Sequence, residues 1–251
     1  MRSISGLLLA CMALNVWAAS DMSATEQKIV NAIQNERRSA ADVARDANRK
    51  PLDTLKFFQL RDDMSVLELL PGGGWYTKIL APTLEEKGKL YISIGAERAY
   101  EALKEQPGFG SLELIPFDSA NFSRVEGESR STVPAFSFGV KRLDLVLTFR
   151  NMHNFTPTGR ENINRAVFES LKSGGLYGVI DHTQRHMQPS EHELRRRIDP
   201  VLVIKEIEAA GFQFVDYSNL HFRPDDELRY EVGRKTVTGN TDRFTLLFKK
   251  P

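Results

Sequence analysis

The chain has one cysteine in 251 residues, Cys11. It falls in an N-terminal stretch expected to be removed, so the working protein has no disulfide and no thiol chemistry. Stability must then come from a core, and 41% hydrophobic residues are enough for one. Charge of one sign is also missing. Basic residues number 34 and acidic residues 33, a net charge of +1. No broad field recruits nucleic acid or anionic lipid, so nucleic acid is disfavoured as a substrate. There are no internal repeats and no low-complexity tracts. The apolar stretch Ile4 to Trp17 is too short and too poorly flanked to cross a bilayer.

That stretch reads as a secretory leader. Arg2 gives the positive start, and Val16-Trp17-Ala18 fits a small-x-small cleavage site, so residues 1–18 are expected to be cut off after Ala18. Cys11 in Leu8-Leu9-Ala10-Cys11 resembles a lipoprotein site only loosely, because apolar residues continue beyond it. The expected location is the periplasm or the exterior, with no stable membrane anchor after cleavage. The mature chain starts Ala19-Ser20-Asp21. A polar helical extension fills 19–51, with Ser39 a break within it, and Pro51 ends it.

Residues 52–251 read as one α/β domain. Leu52 to Leu60 is a short helix. Strands are expected at Ser65–Leu70, Leu90–Ile94, Leu112–Pro116, Leu143–Phe149, Leu176–Ile180, Phe212–Tyr217 and Arg243–Lys249. Helices are expected after Gly74, over Ala99–Gln106, Asn162–Leu171 and Asp199–Ala210. Lys172-Ser173-Gly174-Gly175 reads as a turn. Apolar strands with little alternation, joined by helices, mean a doubly wound, mostly parallel sheet covered on both faces. The last two strands have no helix between them and form an antiparallel hairpin. Two long segments, 119–141 and 219–242, are expected as a flap and a cover beside the pocket, or as plain solvated loops.

The most informative string is Val66-Leu67-Glu68-Leu69-Leu70-Pro71-Gly72-Gly73-Gly74-Trp75-Tyr76. An apolar run of strand length ends in three glycines, and helical spacing follows. Glycine lets the turn take positive φ and lets a ligand approach the backbone. The helix start adds free N–H groups and a positive dipole end. The third glycine of the dinucleotide fingerprint is absent, with Thr77 in its place. What stands instead is an acid followed by spaced glycines: Glu68, Gly72, Gly74.

This resembles the first motif of class I S-adenosylmethionine-dependent methyltransferases, and the seven-stranded Rossmann-like sheet fits that fold. Further strings look like predicted exported methyltransferases of Gram-negative bacteria. They are Ala44-Arg45-Asp46 before Arg49-Lys50-Pro51, then Phe149-Arg150-Asn151-Met152-His153-Asn154-Phe155, Ile198-Asp199-Pro200 and Gly239-Asn240-Thr241-Asp242-Arg243-Phe244. The resemblance implies S-adenosylmethionine as cofactor and a small molecule as methyl acceptor. The cofactor is then expected on Glu68, Pro71, Gly72, Gly73, Gly74 and Tyr76. Glu97, displaced from the end of the second strand, is the candidate for the ribose hydroxyls, and Asp118 for the adenine amino group. Both also fit ordinary helix-capping or first-turn carboxylates.

His153 is the candidate general base, since an unperturbed imidazole titrates near neutrality. Asn151 and Asn154 are expected to hold substrate or cofactor, or simply to satisfy the turn. Arg150 is expected to pair with a substrate carboxylate or phosphate. Asp181 and His182 are expected on the substrate side of the pocket. No metal is expected, although His182 and His186 stand four apart and Asp181 or Glu191 could join them. The location raises a second reading. S-adenosylmethionine is made in the cytosol, so the fold could instead serve a non-catalytic protein that binds a small ligand or partner in the envelope.

Overall fold

The order in which the strands lie side by side decides what can meet at their ends. A computed structural model describes residues 22–124, 129–189 and 191–251. The expected leader, its cut after Ala18 and the first residues of the extension lie outside the described residues.

The extension contains α1 (Ala24–Ile33), α2 (Ala40–Val43) and α3 (Asp46–Arg49). Ser39 is the break the sequence suggested: its hydroxyl accepts from Asp42 N while Asp42 returns a bond to Ser39 N. The domain follows as α4 (Pro51–Phe57), β1 (Ser65–Leu69), α5 (Thr77–Leu84), β2 (Lys89–Ser93), α6 (Glu97–Leu103) and β3 (Leu112–Ile115). The short strands β4 (Ser123–Arg124) and β5 (Ser131–Thr132) come next, then β6 (Leu143–Phe149), α7 (Pro157–Ser170) and β7 (Leu171–His182). The chain closes with α8 (Pro200–Ala209), β8 (Gln213–Ser218) and β9 (Arg243–Lys249).

The main sheet has seven strands in the order β3-β2-β1-β6-β7-β9-β8. Neighbours from β3 to β7 run parallel, and β9 runs antiparallel to both β7 and β8. This is a Rossmann-like sheet with a C-terminal antiparallel hairpin, as the strand pattern implied. The hairpin is not appended at the edge in sequence order, because β9 inserts between β7 and β8. Two apolar layers cover the sheet. Leu55, Phe58, Ile79 and Leu80 fill one face, and Ile163, Val167, Val203 and Ile207 the other.

Some boundaries differ from the sequence reading, each for a local reason. Helix α7 starts at Pro157, not Asn162, because the Thr156 hydroxyl accepts from Gly159 N and Pro157 sits at the first helical position. Helix α6 starts at Glu97, two residues before the expected Ala99. The Lys172–Gly175 turn is absorbed into β7 as an irregularity, with the register against β6 shifting between Leu143 and Leu145.

The described residues of the two long segments are packed down. In the first, β4 and β5 pair with each other, and Asn162 Nδ2 donates to Val133 O at 2.9 Å. Phe136 meets Phe117 and Phe138 edge-on, with centroids 5.1 and 5.0 Å apart. The second is held by buried polar groups. His221 bonds Thr245 Oγ1 and Arg49 O, and Asp226 pairs with Arg197 through two contacts of 2.9 Å.

Candidate functional site: the carboxyl edge of the sheet

In open α/β sheets, ligands sit beyond the carboxyl ends of the strands where the order reverses. Here that point lies between β1 and β6. Three residues that leave adjacent central strands have left-handed backbones without being glycine: Leu70 after β1 (φ 50°), Ile94 after β2 (φ 60°) and Arg150 after β6 (φ 66°). For a β-branched residue such as Ile94 this is a strained conformation. Strain of this kind collects at functional edges.

Gly72 also has positive φ, at 59°. A Cβ built on Gly72 or Gly73 would meet no atom within 4 Å, so the loop offers bare backbone to open space. Gly74 is different. Its φ is 75°, and a Cβ there would come within 2.9 Å of Leu103 Cδ1. Gly74 thus serves packing, while Gly72 and Gly73 leave a cradle. A cavity of about 210 Å³ lies against this loop, bordered by Glu68, Pro71, Gly72, Gly73, Tyr76 and Asn151, among others.

Glu68 sits on β1 beneath the loop, 2% exposed, and accepts from Thr77 Oγ1 at 2.6 Å. Burial pushes its carboxyl up to about 7. Tyr76 forms one wall, stacked on Phe149 with centroids 3.6 Å apart and planes 11° from parallel. The N-terminal extension closes the cavity from above. Trp75 Nε1 donates to Asp42 O at 3.0 Å, Lys78 pairs with Asp42 at 2.7 Å, and the Arg49 guanidinium lies 4.3 Å from the Trp75 ring centroid. Burial, with Arg150 and Arg45 nearby, pulls Arg49 down to about 9.

After β6 the chain turns through a short 3-10 segment, Met152–Asn154. Asn151 Nδ2 donates to Leu69 O, Leu70 O and Thr148 Oγ1, tying the ends of β1 and β6 together at the cavity wall. His153 is buried, and its Nδ1 lies 2.6 Å from Asp181 Oδ1. The other Asp181 oxygen accepts from His153 N at 3.0 Å, and Oδ1 also accepts from His182 N at 2.7 Å. Asp181 thus accepts from backbone N–H groups at both oxygens, and the short contact with the imidazole completes that set with Nδ1 as the donor. Sequence reading gave Asp181 to the substrate side. The structure sets it behind His153 with no exposed surface, so its carboxylate orients the imidazole.

His182 reaches a separate, larger cavity, with Nδ1 3.0 Å from Thr241 Oγ1. Burial, with His153 close by, holds it well below the usual histidine range. His186 turns away to Asp199, 2.7 Å off. Among the described residues no group of three or more potential metal ligands comes together. Asn154 is exposed and borders a third cavity with Leu70, Phe122 and Phe155. Glu97 is exposed in the first turn of α6. Asp118 is exposed and accepts from Ala120 N at 2.8 Å. Neither acid borders the cavity at the glycine loop.

Sequence reasoning singled out Arg150 and passed over the other arginines. Arg45, Arg49 and Arg150 border both the loop cavity and the larger one, and Arg196 and Arg243 border the larger one. The signal was present: Arg45, Arg49 and Arg243 stand within the strings that carried the resemblance. Only the fold shows that those strings converge.

Neither a family model nor a curated protein matches the sequence. Solved structures do match in fold. One is a SAM-dependent methyltransferase from Aquifex aeolicus, with a TM-score of 0.56 at 16% identity, covering 89% of this chain and 97% of that one. Another is the [4+2]-cyclase SpnF, with a TM-score of 0.56 at 13% identity, covering 90% and 93%. A third is the glycopeptide N-methyltransferase MtfA complexed with S-adenosylmethionine, with a TM-score of 0.52 at 15% identity, covering 79% and 86%. At these identities the shared property is the fold. It is the fold of class I S-adenosylmethionine-dependent methyltransferases.

Proposed function

We propose that the protein binds S-adenosylmethionine against the Glu68–Tyr76 segment and transfers its methyl group to a small-molecule acceptor. One observation carries this reading: Gly72 and Gly73 leave a cradle at the switch point that any side chain would fill. Glu68 borders the same cavity, where its carboxyl can accept from the cofactor's ammonium, and Asn151 shapes the wall by tying the ends of β1 and β6 together. When bound, the cofactor supplies a methyl on a sulfonium, open to in-line displacement. Positioning would dominate such a transfer.

His153 is the base in this reading. Asp181 holds its Nδ1–H, and Nε2 takes the proton of the acceptor's hydroxyl or amine. Export through the 1–18 segment belongs to the same proposal. Cell fractionation checks it, with the protein expected outside the cytosol and about two kilodaltons shorter at roughly 110 Da per residue lost.

The placement of Glu97 and Asp118 favours a second reading. With both acids outside the loop cavity, the ribose and adenine partners of the usual cofactor are not gathered, and the fold would serve a different small ligand. Calorimetric titration with S-adenosylmethionine and S-adenosylhomocysteine separates the two. Saturable binding that disappears in Gly73→Leu supports the first, because Gly73 has ordinary φ and the new side chain enters open space. Unchanged affinity in that variant removes the loop as the cofactor site. No binding at millimolar ligand supports the second.

A further inference from the structure

The larger cavity measures about 510 Å³ and adjoins the glycine-loop cavity. Among the described residues five arginines border it, and no aspartate or glutamate does. They arrive from separate parts of the fold: Arg45 and Arg49 from the extension, Arg150 from the end of β6, Arg196 from before α8, and Arg243 from the start of β9. Arg196 is neutralised by Glu231. The other four make no ion pair among the described residues.

Arg243 is the decisive residue. It is 7% exposed, its Nη2 donates to Asn48 O at 2.6 Å, and its buried Nε has no partner. Arg49 is 5% exposed and lies against aromatic faces rather than a carboxylate. Burial pulls Arg243 down to about 10 and lowers Arg150 as well, with Arg45 adding to the latter effect. Buried cations without anions are costly unless a ligand completes them.

S-adenosylmethionine cannot complete them. It carries one carboxylate against an ammonium and a sulfonium, so it adds positive charge beside the wall. The neighbouring ligand must therefore be an anion. A planar carboxylate is satisfied by a single guanidinium fork. Cations approaching from three directions, with Asn48 and Thr241 between them, suit a tetrahedral oxyanion.

We infer that this cavity binds the phosphate group of a small phosphomonoester, presented beside the glycine loop. The inference rests on the methyl-transfer reading only in naming that ligand the methyl acceptor. A cavity of this volume holds the phosphate together with a further group of drug-like size.

Calorimetry on the purified full chain tests it with phenyl phosphate, benzoate and S-adenosylmethionine as separate titrants. Phenyl phosphate is expected to bind saturably, and benzoate at least about tenfold more weakly. Arg45→Gln and Arg243→Gln should each weaken phenyl phosphate about tenfold or more, the loss of one charge-assisted contact. Arg45 is exposed and makes no ion pair among the described residues, so that variant remains informative if Arg243→Gln does not fold. Lys205→Ala, the same charge loss on the exposed side of α8, should leave binding unchanged. No binding of phenyl phosphate, equal binding of benzoate, or full affinity in Arg45→Gln overturns the inference. Cofactor binding without phosphate binding refutes it alone. Phosphate binding without cofactor binding upholds it and refutes the methyl-transfer reading.

Discussion

Replacing Glu68 with glutamine should make the protein more stable at alkaline pH and leave it nearly unchanged in acid. Glu68 is 2% exposed; Thr77 Oγ1 donates to its carboxyl, and Arg49 is the cation that acts on it among the described residues. Burial raises its carboxyl from 4.5 to about 7. The folded state therefore keeps a proton that the unfolded chain gives up. Stability from this group is complete below pH 4.5 and falls as pH rises, levelling off above pH 7. A shift of that size corresponds to about 3 kcal/mol in total. Glutamine has the same shape, still accepts from Thr77, and does not titrate. The stability difference between variant and wild type should thus grow by about 2–3 kcal/mol between pH 5 and pH 8. Urea unfolding of both proteins at the two pH values measures it. A difference that is the same at both would mean that Glu68 is ionised in the fold, and the account of its burial would fail.

Three further predictions concern the cover segment and the residues that hold it. His221 has an opposite linkage: burial lowers it to about 4, and it accepts at Nδ1 from Thr245 Oγ1 while Nε2 donates to Arg49 O. Its neutral ring contributes stability that is complete above pH 6.5 and is lost as pH falls toward 4, about 3 kcal/mol. It therefore counters Glu68 in the wild type, and Glu68→Gln should unmask a steep acid-side loss in urea titrations from pH 7 to 5. Asp226→Ala should cost about 3–5 kcal/mol, because it strands the fully buried Arg197 guanidinium. Arg196→Ala removes a guanidinium that is 42% exposed and leaves the buried Glu231 still facing Gly233 N and Arg195, so it should cost less, about 1 kcal/mol, by the same denaturation assay. Equal costs would show that burial does not govern these pairs.

The sequence by itself determined the elements and the glycine loop. Strand-length apolar runs, Gly72 to Gly74 and the Asp199-Pro200 helix start act within a few residues. Local backbone sterics and hydrogen bonding are therefore enough to make them legible. The sheet's parallel character was legible as well, since strands buried on both faces lose the alternation that a half-exposed strand keeps.

Tertiary structure alone decided how these parts were used. Asp181 and His153 are 28 residues apart and meet because β6 and β7 are neighbours. The insertion of β9 beside β7 brings Thr241 to His182 and Arg243 to the extension. Arginines from positions 45, 49, 150, 196 and 243 then share one cavity. Burial, which sets the protonation of Glu68, His182 and His221, depends on everything packed around each group. No window of sequence contains that information, because charge and solvation act through space and not along the chain.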